Sequence, residues 1–435
     1  MKYLLKKARA VCSYSGLDRE VDVLVEDGII TRVEKGISAP KARSFDLADK
    51  LLFPGFIDLH AHLREPGNEE EETLESGARS AVRGGYVAIV VMPNTMPPLS
   101  TPFLVRSVIE ASRHIGFAAL WPAGTLTRDR AGEAMAELGL MLDAGAVGFT
   151  DDGDSVADAA LMRAIMQYAA HFGCPLMLHE EDPSLSAGGH LHEGRVSSEL
   201  GIKGNPSSSE SVMVARDVIL AAETGARIHI QHVSARETVE IVRRAKREAI
   251  HVTAEATPHH LILTEDACRS FDTNCKVNPP LRSEADRAAL VEALVDGTID
   301  AVATDHAPHL AIEKDLEFAL APPGMIGLET AVPLMYSHFV EPGILDLHRF
   351  CELFSVGPAH VLRRDPFVVR EGVRANLTVI DPTRARVVDP RTFVSKSRNT
   401  PFAGWELRGW PTFVIADGRL ILEDGRLVEG GEIDG

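Results

Sequence analysis

The sequence has few cysteines and no arrangement of them that suggests a bridge or a metal site. The five cysteines are odd in number and form no CxxC pair. This argues against a disulfide framework and against zinc held by thiolates. The first residues, MKYLLKKARAV, place charges on both sides of a very short apolar stretch, unlike a signal peptide. We therefore expect a protein of the reducing cytoplasm.

Long apolar runs and an excess of positive charge are also missing. The strongly apolar stretches, such as residues 86–92, are strand-length, whereas crossing a bilayer takes roughly 20 residues. The 435 residues contain 45 Lys and Arg against 63 Asp and Glu, a net charge of −18. A chain without a basic footprint is a poor partner for nucleic acid or an anionic membrane. The composition instead favours a small molecule held by a few local cations.

The two ends of the chain share a pattern of short strands and turns. Residues 21–25, 29–33, 376–380, 413–416 and 420–422 read as strands, and Asp417-Gly418 is a typical hairpin turn. Neither end is long enough to bury a good core alone. We therefore expect both ends to build one small β domain together.

The middle of the chain alternates short apolar runs with amphipathic segments, a pattern typical of βα units. The predicted strands are residues 56–60, 86–92, 117–122, 146–150, 175–179, 228–232, 252–256 and 299–304. The predicted helices include residues 73–83, 159–172, 210–224, 237–248 and 284–296. An open doubly wound sheet is the alternative, but no GxGxxG follows the first strand. The expected fold is α/β, a (β/α)8 TIM barrel over residues 54–371 with a small β-sandwich domain from residues 1–53 and 372–435.

Most of the predicted barrel strands end in side chains that can bind a metal or a substrate. In a barrel these ends converge on one face, where active sites are built. His60 and His62 alternate with Leu59 and Ala61, so both imidazoles point to one side and can share an ion. His179, His232 and Asp305 follow other strands, as does the pair Asp151-Asp152, which strand parity does not resolve. Histidine and carboxylate ligands suit Zn²⁺, with Mn²⁺, Co²⁺ or Fe²⁺ as alternatives.

Several blocks occur together and in order, and they carry a family resemblance. They are FPGFIDLHAHLREPG at residues 53–67, MPNT at 92–95, TDDG at 150–153, TPHH at 257–260, NPPLR at 278–282, ATDHAPH at 303–309 and NTPF at 399–402. With these blocks the chain resembles the amidohydrolase superfamily in its dihydroorotase form, and within it the long bacterial type I enzymes. The resemblance runs over nearly the whole chain.

The resemblance implies a binuclear zinc site. His60 and His62 would bind one ion with Asp305, His179 and His232 would bind the second, and Asp152 rather than Asp151 would bridge them. Many relatives use a carboxylated lysine as the bridge, as hydantoinases and allantoinases would. No lysine occurs between Lys50 and Lys203, so none is expected here.

The resemblance also implies an activity and partners. The reaction would be the reversible, zinc-dependent cyclisation of N-carbamoyl-L-aspartate to dihydroorotate, with Asp305 carrying the proton. Arg64 would grip the substrate carboxylate, with Asn94, Asn278 and His309 as further substrate contacts. A homodimer is expected, and a complex with aspartate transcarbamoylase is possible.

Two other functions compete with this one. The first is hydrolysis of hydantoin-like or allantoin-like rings, and the second is a catalytically dead barrel serving as a subunit of aspartate transcarbamoylase. Two local features are also open to interpretation. The acidic run at residues 69–72 is expected to be a solvated start to the next helix. The loop at residues 322–325 (PPGM) departs from the aromatic-glycine pair of the family, so the sequence does not predict its conformation.

Overall fold

The centre of the computed structural model, which describes residues 1–429, is a ring of parallel strands. Seven of them are regular strands: Phe56–Ala61, Tyr86–Val91, Ala119–Pro122, Pro175–Leu178, Arg227–Ile230, Val252–Ala256 and Ala301–Val302. Each pairs in parallel with its neighbours, and a bridge from Ala61 to His306 joins the last to the first. The predicted (β/α)8 barrel is confirmed.

The fourth and eighth barrel segments are more irregular than predicted. In the fourth, residues 146–150, Phe149 alone bridges both Gly124 and Leu176. Gly148 lies in this segment, where a Cβ would be 3.1 Å from the Pro175 carbonyl oxygen, so the backbones are unusually close. The eighth was predicted over residues 299–304, yet only Ala301–Val302 forms a ladder. Asp305 follows with a φ of +46°, which turns the chain out of the sheet.

The five predicted helices are confirmed to within two residues at their ends. They are Leu74–Arg83, Ala159–Phe172, Ser208–Thr224, Arg236–Arg247 and Glu284–Asp296. Local chemistry explains these boundaries. The Asp158 carboxylate accepts from the amides of Ala160 and Leu161 at the start of the second helix, and Gly173 ends it in a left-handed conformation.

The remaining helices of the described residues are mostly short. They are Pro102–Ile115, Leu138–Asp143, Pro183–Ser186, Arg195–Leu200, Pro258–Ile262, Ala311–Lys314, Ala331–Met335, Leu347–Cys351 and Gly357–Val361. Two π-helical turns, Tyr336–Val340 and Glu352–Val356, extend the helices that precede them. None of the helices in residues 1–429 combines the length and apolar character needed to cross a membrane.

Both chain ends enter one nine-stranded sheet. Its strands are Lys2–Cys12, Leu17–Glu26, Ile29–Glu34, Arg43–Asp46, Leu51–Pro54, Leu377–Asp381, Trp410–Ala416, Arg419–Glu423 and Arg426–Leu427. Strand Leu51–Pro54 joins the two ends, pairing with Lys2–Cys12 on one side and with Leu377–Asp381 on the other. Side chains from both ends, such as Val23 and Val379, share one core cluster.

The terminal sheet runs directly into the barrel. Only Gly55 separates the strand Leu51–Pro54 from the first barrel strand. Phe53 and Phe56 on either side of it pack against Phe350, at centroid distances of 5.6 and 5.9 Å. These aromatic contacts fix the entry of the first barrel strand, which carries the histidine pair. Two further pairs of strands, Leu191–His192 with Gly204–Asn205 and Arg386–Val387 with Glu406–Leu407, lie outside both sheets.

Candidate metal centre

A single carboxylate, that of Asp152, stands at the centre of the site. Its Oδ1 lies 3.3 Å from His60 Nε2, 3.4 Å from His232 Nε2 and 3.6 Å from His179 Nδ1. Its Oδ2 lies 3.3 Å from His62 Nε2. The carboxylate therefore faces all four histidines at once, in the position that a ligand bridging two ions would take.

Asp151, the other candidate, points away from the histidines. Its carboxylate accepts hydrogen bonds from the amides of Leu126 and Thr127, at 2.8 and 3.1 Å, and from the Thr127 hydroxyl. It therefore orders the loop after the third barrel strand. The alternation of side chains along the strand did not distinguish the two aspartates. In the structure, Asp152 lies inside the histidine cluster and Asp151 lies outside it.

Asp305 completes the donor cluster on the side of the first barrel strand. Its Oδ1 lies 3.5 Å from His60 Nε2 and 3.3 Å from His62 Nε2. On the other side, His179 Nδ1 lies 2.9 Å from His232 Nε2. Two ligands about 2.1 Å from one tetrahedral ion are about 3.4 Å apart, so the Asp305 spacings suit a shared ion, whereas the two imidazoles of His179 and His232 are within hydrogen-bond distance of each other.

Three buried side-chain atoms of the predicted ligands have no hydrogen-bond partner within residues 1–429: His179 Nε2, His60 Nε2 and Asp152 Oδ1. The last two face one another. A buried polar atom without a partner costs roughly 1–3 kcal/mol, so such atoms call for an explanation. A cation between them would satisfy both. The described residues thus include groups able to hold a metal ion, among them His60 with His62 and Asp305, and His60 with Asp152 and His232.

A second layer of side chains orients the histidines. Glu255, at the end of the seventh barrel strand, accepts from His60 Nδ1 and from His229 Nε2, each at 3.0 Å. His62 Nδ1 donates to the Asn94 side-chain oxygen at 2.8 Å. With Nδ1 engaged, both histidines present Nε2 to the cluster. Glu255 was not predicted from the sequence, although its position near the end of a barrel strand was a usable signal.

The cluster holds its acids ionised. Burial raises the pKa of Asp305, but the charge of His60 and the hydrogen bond from His62 outweigh it, and the pKa falls below its ordinary value. Burial also opposes ionisation of Asp152, yet the surrounding histidines hold its pKa well below the usual range. Burial raises the pKa of Glu255 too, and hydrogen bonds from His229 and His60 lower it to about 2. Ionised carboxylates are the form that binds metal.

Three residues of the site adopt left-handed backbone conformations. The φ angles are +29° at His232, +46° at Asp305 and +61° at Arg64. Such angles are strained for residues with a Cβ and cluster at functional sites, where the surrounding structure imposes them. Here each residue follows a barrel strand, and the turn directs its side chain over the mouth of the barrel.

A cavity of about 180 Å³ opens above the cluster. Seven predicted site residues line it: His62, Asn94, Asp152, His179, His232, Asn278 and Asp305. His60 lies beneath them and has no exposed surface. Pro323 and Gly324 also line the cavity. The structure therefore brings the predicted metal ligands and two of the four predicted substrate contacts to one chamber.

Arg64 and His309 lie together at the edge of the site and are not among the residues lining the cavity. Arg64 Nε donates to the Pro308 carbonyl at 3.1 Å and lies 3.0 Å from Glu71 Oε2. His309 Nε2 donates to the Pro323 carbonyl at 2.9 Å. The guanidinium is thus held in place, with Glu71 balancing its charge.

The expectation of a solvated acidic run at residues 69–72 was wrong for its second half. Glu71 is 8% exposed and faces Arg64, while Glu72 is fully buried. Glu72 accepts from His306 Nε2 at 3.2 Å and from the Lys396 amide at 3.2 Å. The segment around Lys396 covers this run, a contact between distant parts of the chain that local sequence does not reveal.

Comparison with known proteins agrees with this architecture. A family model described as Dihydro-orotase-like matches residues 49–238. Among solved structures, an L-hydantoinase (dihydropyrimidinase) from Arthrobacter aurescens aligns with a TM-score of 0.86 and 27% identity, covering 98% of this chain and 97% of its own. Fold and site together define an amidohydrolase barrel.

Proteins named dihydroorotase share a larger part of the sequence with this chain than this solved hydantoinase does. A dihydroorotase from Pelotomaculum thermopropionicum is 47% identical over 424 residues, covering 98% of this chain and 99% of its own length. A dihydroorotase from Thermus aquaticus is 45% identical over 409 residues, covering 93% and 95%. The chain belongs to the dihydroorotase family, a family of cyclic-amide hydrolases.

Proposed function

We propose that this protein is a dihydroorotase, which closes N-carbamoyl-L-aspartate to (S)-dihydroorotate and water in UMP biosynthesis and reopens the ring in reverse. The observation that carries the proposal is the Asp152 carboxylate, which faces four histidines at 3.3–3.6 Å. Relatives named dihydroorotase at 41–47% identity over nearly the whole chain support it.

The donor set fits two divalent cations per chain, which we take to be zinc. Imidazole and carboxylate ligands without thiolates suit Zn²⁺. His60, His62 and Asp305 would hold one ion, His179 and His232 the other, and Asp152 would bridge them. No lysine lies between Lys50 and Lys203, so a carboxylated lysine is not part of the site. Bound there, the ions supply Lewis acidity that makes water nucleophilic at neutral pH and polarises the ring carbonyl.

Asp305 is the proton carrier in this mechanism. In ring opening its ionised carboxylate accepts the proton released by the attacking water and passes it to the ring nitrogen as the carbon–nitrogen bond breaks. In ring closure it begins protonated and the transfers run in reverse. The His62 contact at 3.3 Å fixes its position beside the proposed ligands.

Four residues would hold the substrate. Arg64 would bind the substrate carboxylate, since a guanidinium offers two parallel donors to a carboxylate. Asn94 and Asn278 line the cavity beside the cluster. His309 lies 3.4 Å from an Arg64 terminal nitrogen, where it would help to position the arginine. Arg64, together with divalent ions bound by the cluster, would attract an anion to this site in a chain of net charge −18.

The organisation of the chain extends this proposal. We assign residues 54–371 to the catalytic barrel and residues 1–53 with 372–435 to a composite β-sandwich domain. The sheet built from both ends and its separate core cluster support the division within residues 1–429. We expect the enzyme to act in the cytoplasm as a homodimer, and a complex with aspartate transcarbamoylase remains a prediction.

A hydantoinase-like activity is the second candidate, because solved hydantoinases share the fold at TM-scores of 0.80–0.86. Their sequences are only 22–27% identical to this chain, which favours the first candidate. A catalytically dead subunit would be expected to have lost ligands, whereas all six predicted ligands stand in one cluster.

Turnover of dihydroorotate and of hydantoin by the same preparation tests the proposal. The purified protein, its chelator-treated form and that form resupplied with Zn²⁺ are compared on both substrates. We expect hydrolysis of dihydroorotate that is lost with chelator and restored by metal. Hydantoin turnover without dihydroorotate turnover would identify the second candidate, and activity that survives complete metal removal would refute the metal mechanism.

A further inference from the structure

A loop that follows the eighth barrel segment, residues 318–324, curls around two buried lysines. Lys276 is 6% exposed and Lys314 is 8% exposed. Lysine is rarely buried to this degree unless an acid pairs with it. Within residues 1–429, however, all the hydrogen bonds of the two ammonium groups go to main-chain carbonyl oxygens of this loop.

Lys276 uses its full donor capacity on the first half of the loop. Its Nζ donates to the carbonyls of Phe318, Ala319 and Ala321 at 2.8, 3.0 and 2.6 Å. An ammonium has three donors, so none is left over. The Lys276 carbonyl in turn accepts from the Gly324 amide at 2.8 Å, which ties the far end of the loop to the same residue.

The second half of the loop is held by Lys314 and two neighbours. Lys314 Nζ donates to the carbonyls of Pro322 and Gly324 at 2.9 and 3.0 Å. The Pro323 carbonyl accepts from His309, and Asn399 adds a donor to the Gly324 carbonyl. Of the seven carbonyls in residues 318–324, only that of Leu320 has no such partner in the described structure.

The loop carbonyls therefore surround the two ammonium groups in the way that carbonyl oxygens surround a metal cation bound in a loop. Burying a charge costs several kcal/mol unless polar groups compensate for it. Here oriented carbonyl dipoles do so, and the loop must keep its curled shape to provide them. Burial and the neighbouring charge of Lys276 lower the pKa of Lys314 to about 8, which reflects how little acidic compensation Asp272 and Glu313 supply.

The loop also forms a wall of the cavity above the metal ligands. Pro323 and Gly324 line this cavity together with Asn278 and Asp305. Gly324 has a φ of +137°, and a Cβ there would lie 2.8 Å from the Cβ of Ala307 and 3.0 Å from His309 Nε2. The wall thus approaches the site too closely to shift without changing the cavity.

We propose that Lys276 and Lys314 are positioning residues that set the wall of the substrate cavity, and thereby the affinity for substrate, without taking part in the chemical step. This inference rests on the proposed function for its kinetic readout. It assigns a role to the loop at residues 322–325, whose conformation the sequence did not predict.

The test compares Lys314→Met and Lys276→Met with the wild type and with Lys41→Met, a control at an exposed surface lysine. Methionine keeps most of the side-chain volume and removes the donors. Losing two charge-assisted hydrogen bonds should raise KM for dihydroorotate about tenfold in Lys314→Met. We expect kcat to change less than about threefold, since the ligands and Asp305 are untouched.

A second readout does not depend on activity. Hydrogen exchange of the amides in residues 315–326 should be faster in both lysine variants, with metal content and secondary structure unchanged. If Lys276→Met fails to fold, Lys314→Met alone carries the test. Unchanged KM with unchanged exchange would overturn the proposal, as would a loss of kcat at constant KM. If the wild type were inactive on dihydroorotate, the proposed function would be overturned instead. The hydrogen-exchange comparison would still test whether the two lysines hold the loop in place.

Discussion

Nε2 of His62 lies 3.3 Å from Oδ1 of Asp305, although the two residues are 243 positions apart in the chain. The contact forms where the eighth barrel segment closes against the first, so it exists only when the barrel is complete. It places a proposed proton carrier directly beside a proposed metal ligand. The proposed metal binding and proton transfer would therefore depend on the same junction as the closure of the barrel.

Replacing Asp305 with asparagine should abolish turnover and leave the fold intact. Asparagine keeps the shape and one oxygen but cannot accept and return a proton, so kcat should fall by about 10²-fold or more. Initial rates in both directions, circular dichroism and metal content are measured together. Near wild-type turnover by a correctly folded Asp305→Asn protein would remove Asp305 as the proton carrier.

The two adjacent aspartates should respond differently to the same change. Asp152→Asn should sharply lower the metal content, because it removes the charge shared by four histidines. Asp151→Asn should keep the metal and lower stability by about 1–3 kcal/mol, because its partners are loop amides and a hydroxyl. Elemental analysis and urea unfolding of both proteins make the comparison. Equal metal loss in the two variants would contradict the assignment.

Glu255→Gln should weaken metal binding without removing a ligand. The Glu255 carboxylate links His60 and His229 at 3.0 Å, and such outer partners typically contribute 10–100-fold in metal affinity. Competition with a chromogenic chelator gives the affinity, and Glu248→Gln on the exposed end of a helix is the control. Affinity equal to that of the control would show that Glu255 does not support His60.

The Lys50–Asp381 ion pair should make the terminal sheet sensitive to acid. Burial alone would raise the pKa of Asp381, but hydrogen bonds from Lys50 and Thr383 lower it to about 2. A depressed pKa stabilises the fold above the ordinary value near 4 and loses that effect as pH falls toward 2. Discounted for partial exposure, Asp381→Asn should cost about 1–2 kcal/mol at pH 7. Urea unfolding at several pH values gives the free energy of unfolding of both proteins. The difference between wild type and Asp381→Asn should shrink below pH 4, and a difference that stays constant with pH would show that it does not come from the ionised Asp381 carboxylate.

Local patterns predicted most of the barrel because they act over a few residues. The helices Ala159–Phe172 and Glu284–Asp296 match their predictions at both ends, since capping residues and a following glycine mark them in the sequence. The fourth and eighth barrel segments were predicted as longer strands than they are. Their ends are decided by close backbone contacts and by the turn at Asp305, which apolar periodicity does not report.

The structure brings the predicted metal ligands together, but the sequence did not reveal the side chains that surround them. The predicted ligands follow barrel strands, so the order of elements was enough to bring them to one face. Glu72 was expected to be solvated, and Glu255 and the two buried lysines were not singled out, because their partners come from other elements. Buried charge is recognised only when its partner is seen.

The sequence by itself determined the class of fold, five of the six candidate ligands and the absence of lysine from the fourth barrel segment, because each depends on spacing or on residue type. Only the tertiary structure decided that Asp152 rather than Asp151 faces the histidines, that Glu71 balances Arg64, and that two lysines shape the loop over the cavity. These choices depend on which side chains remote in sequence become neighbours. That is a property of packing, and it is not encoded in any short stretch of the chain.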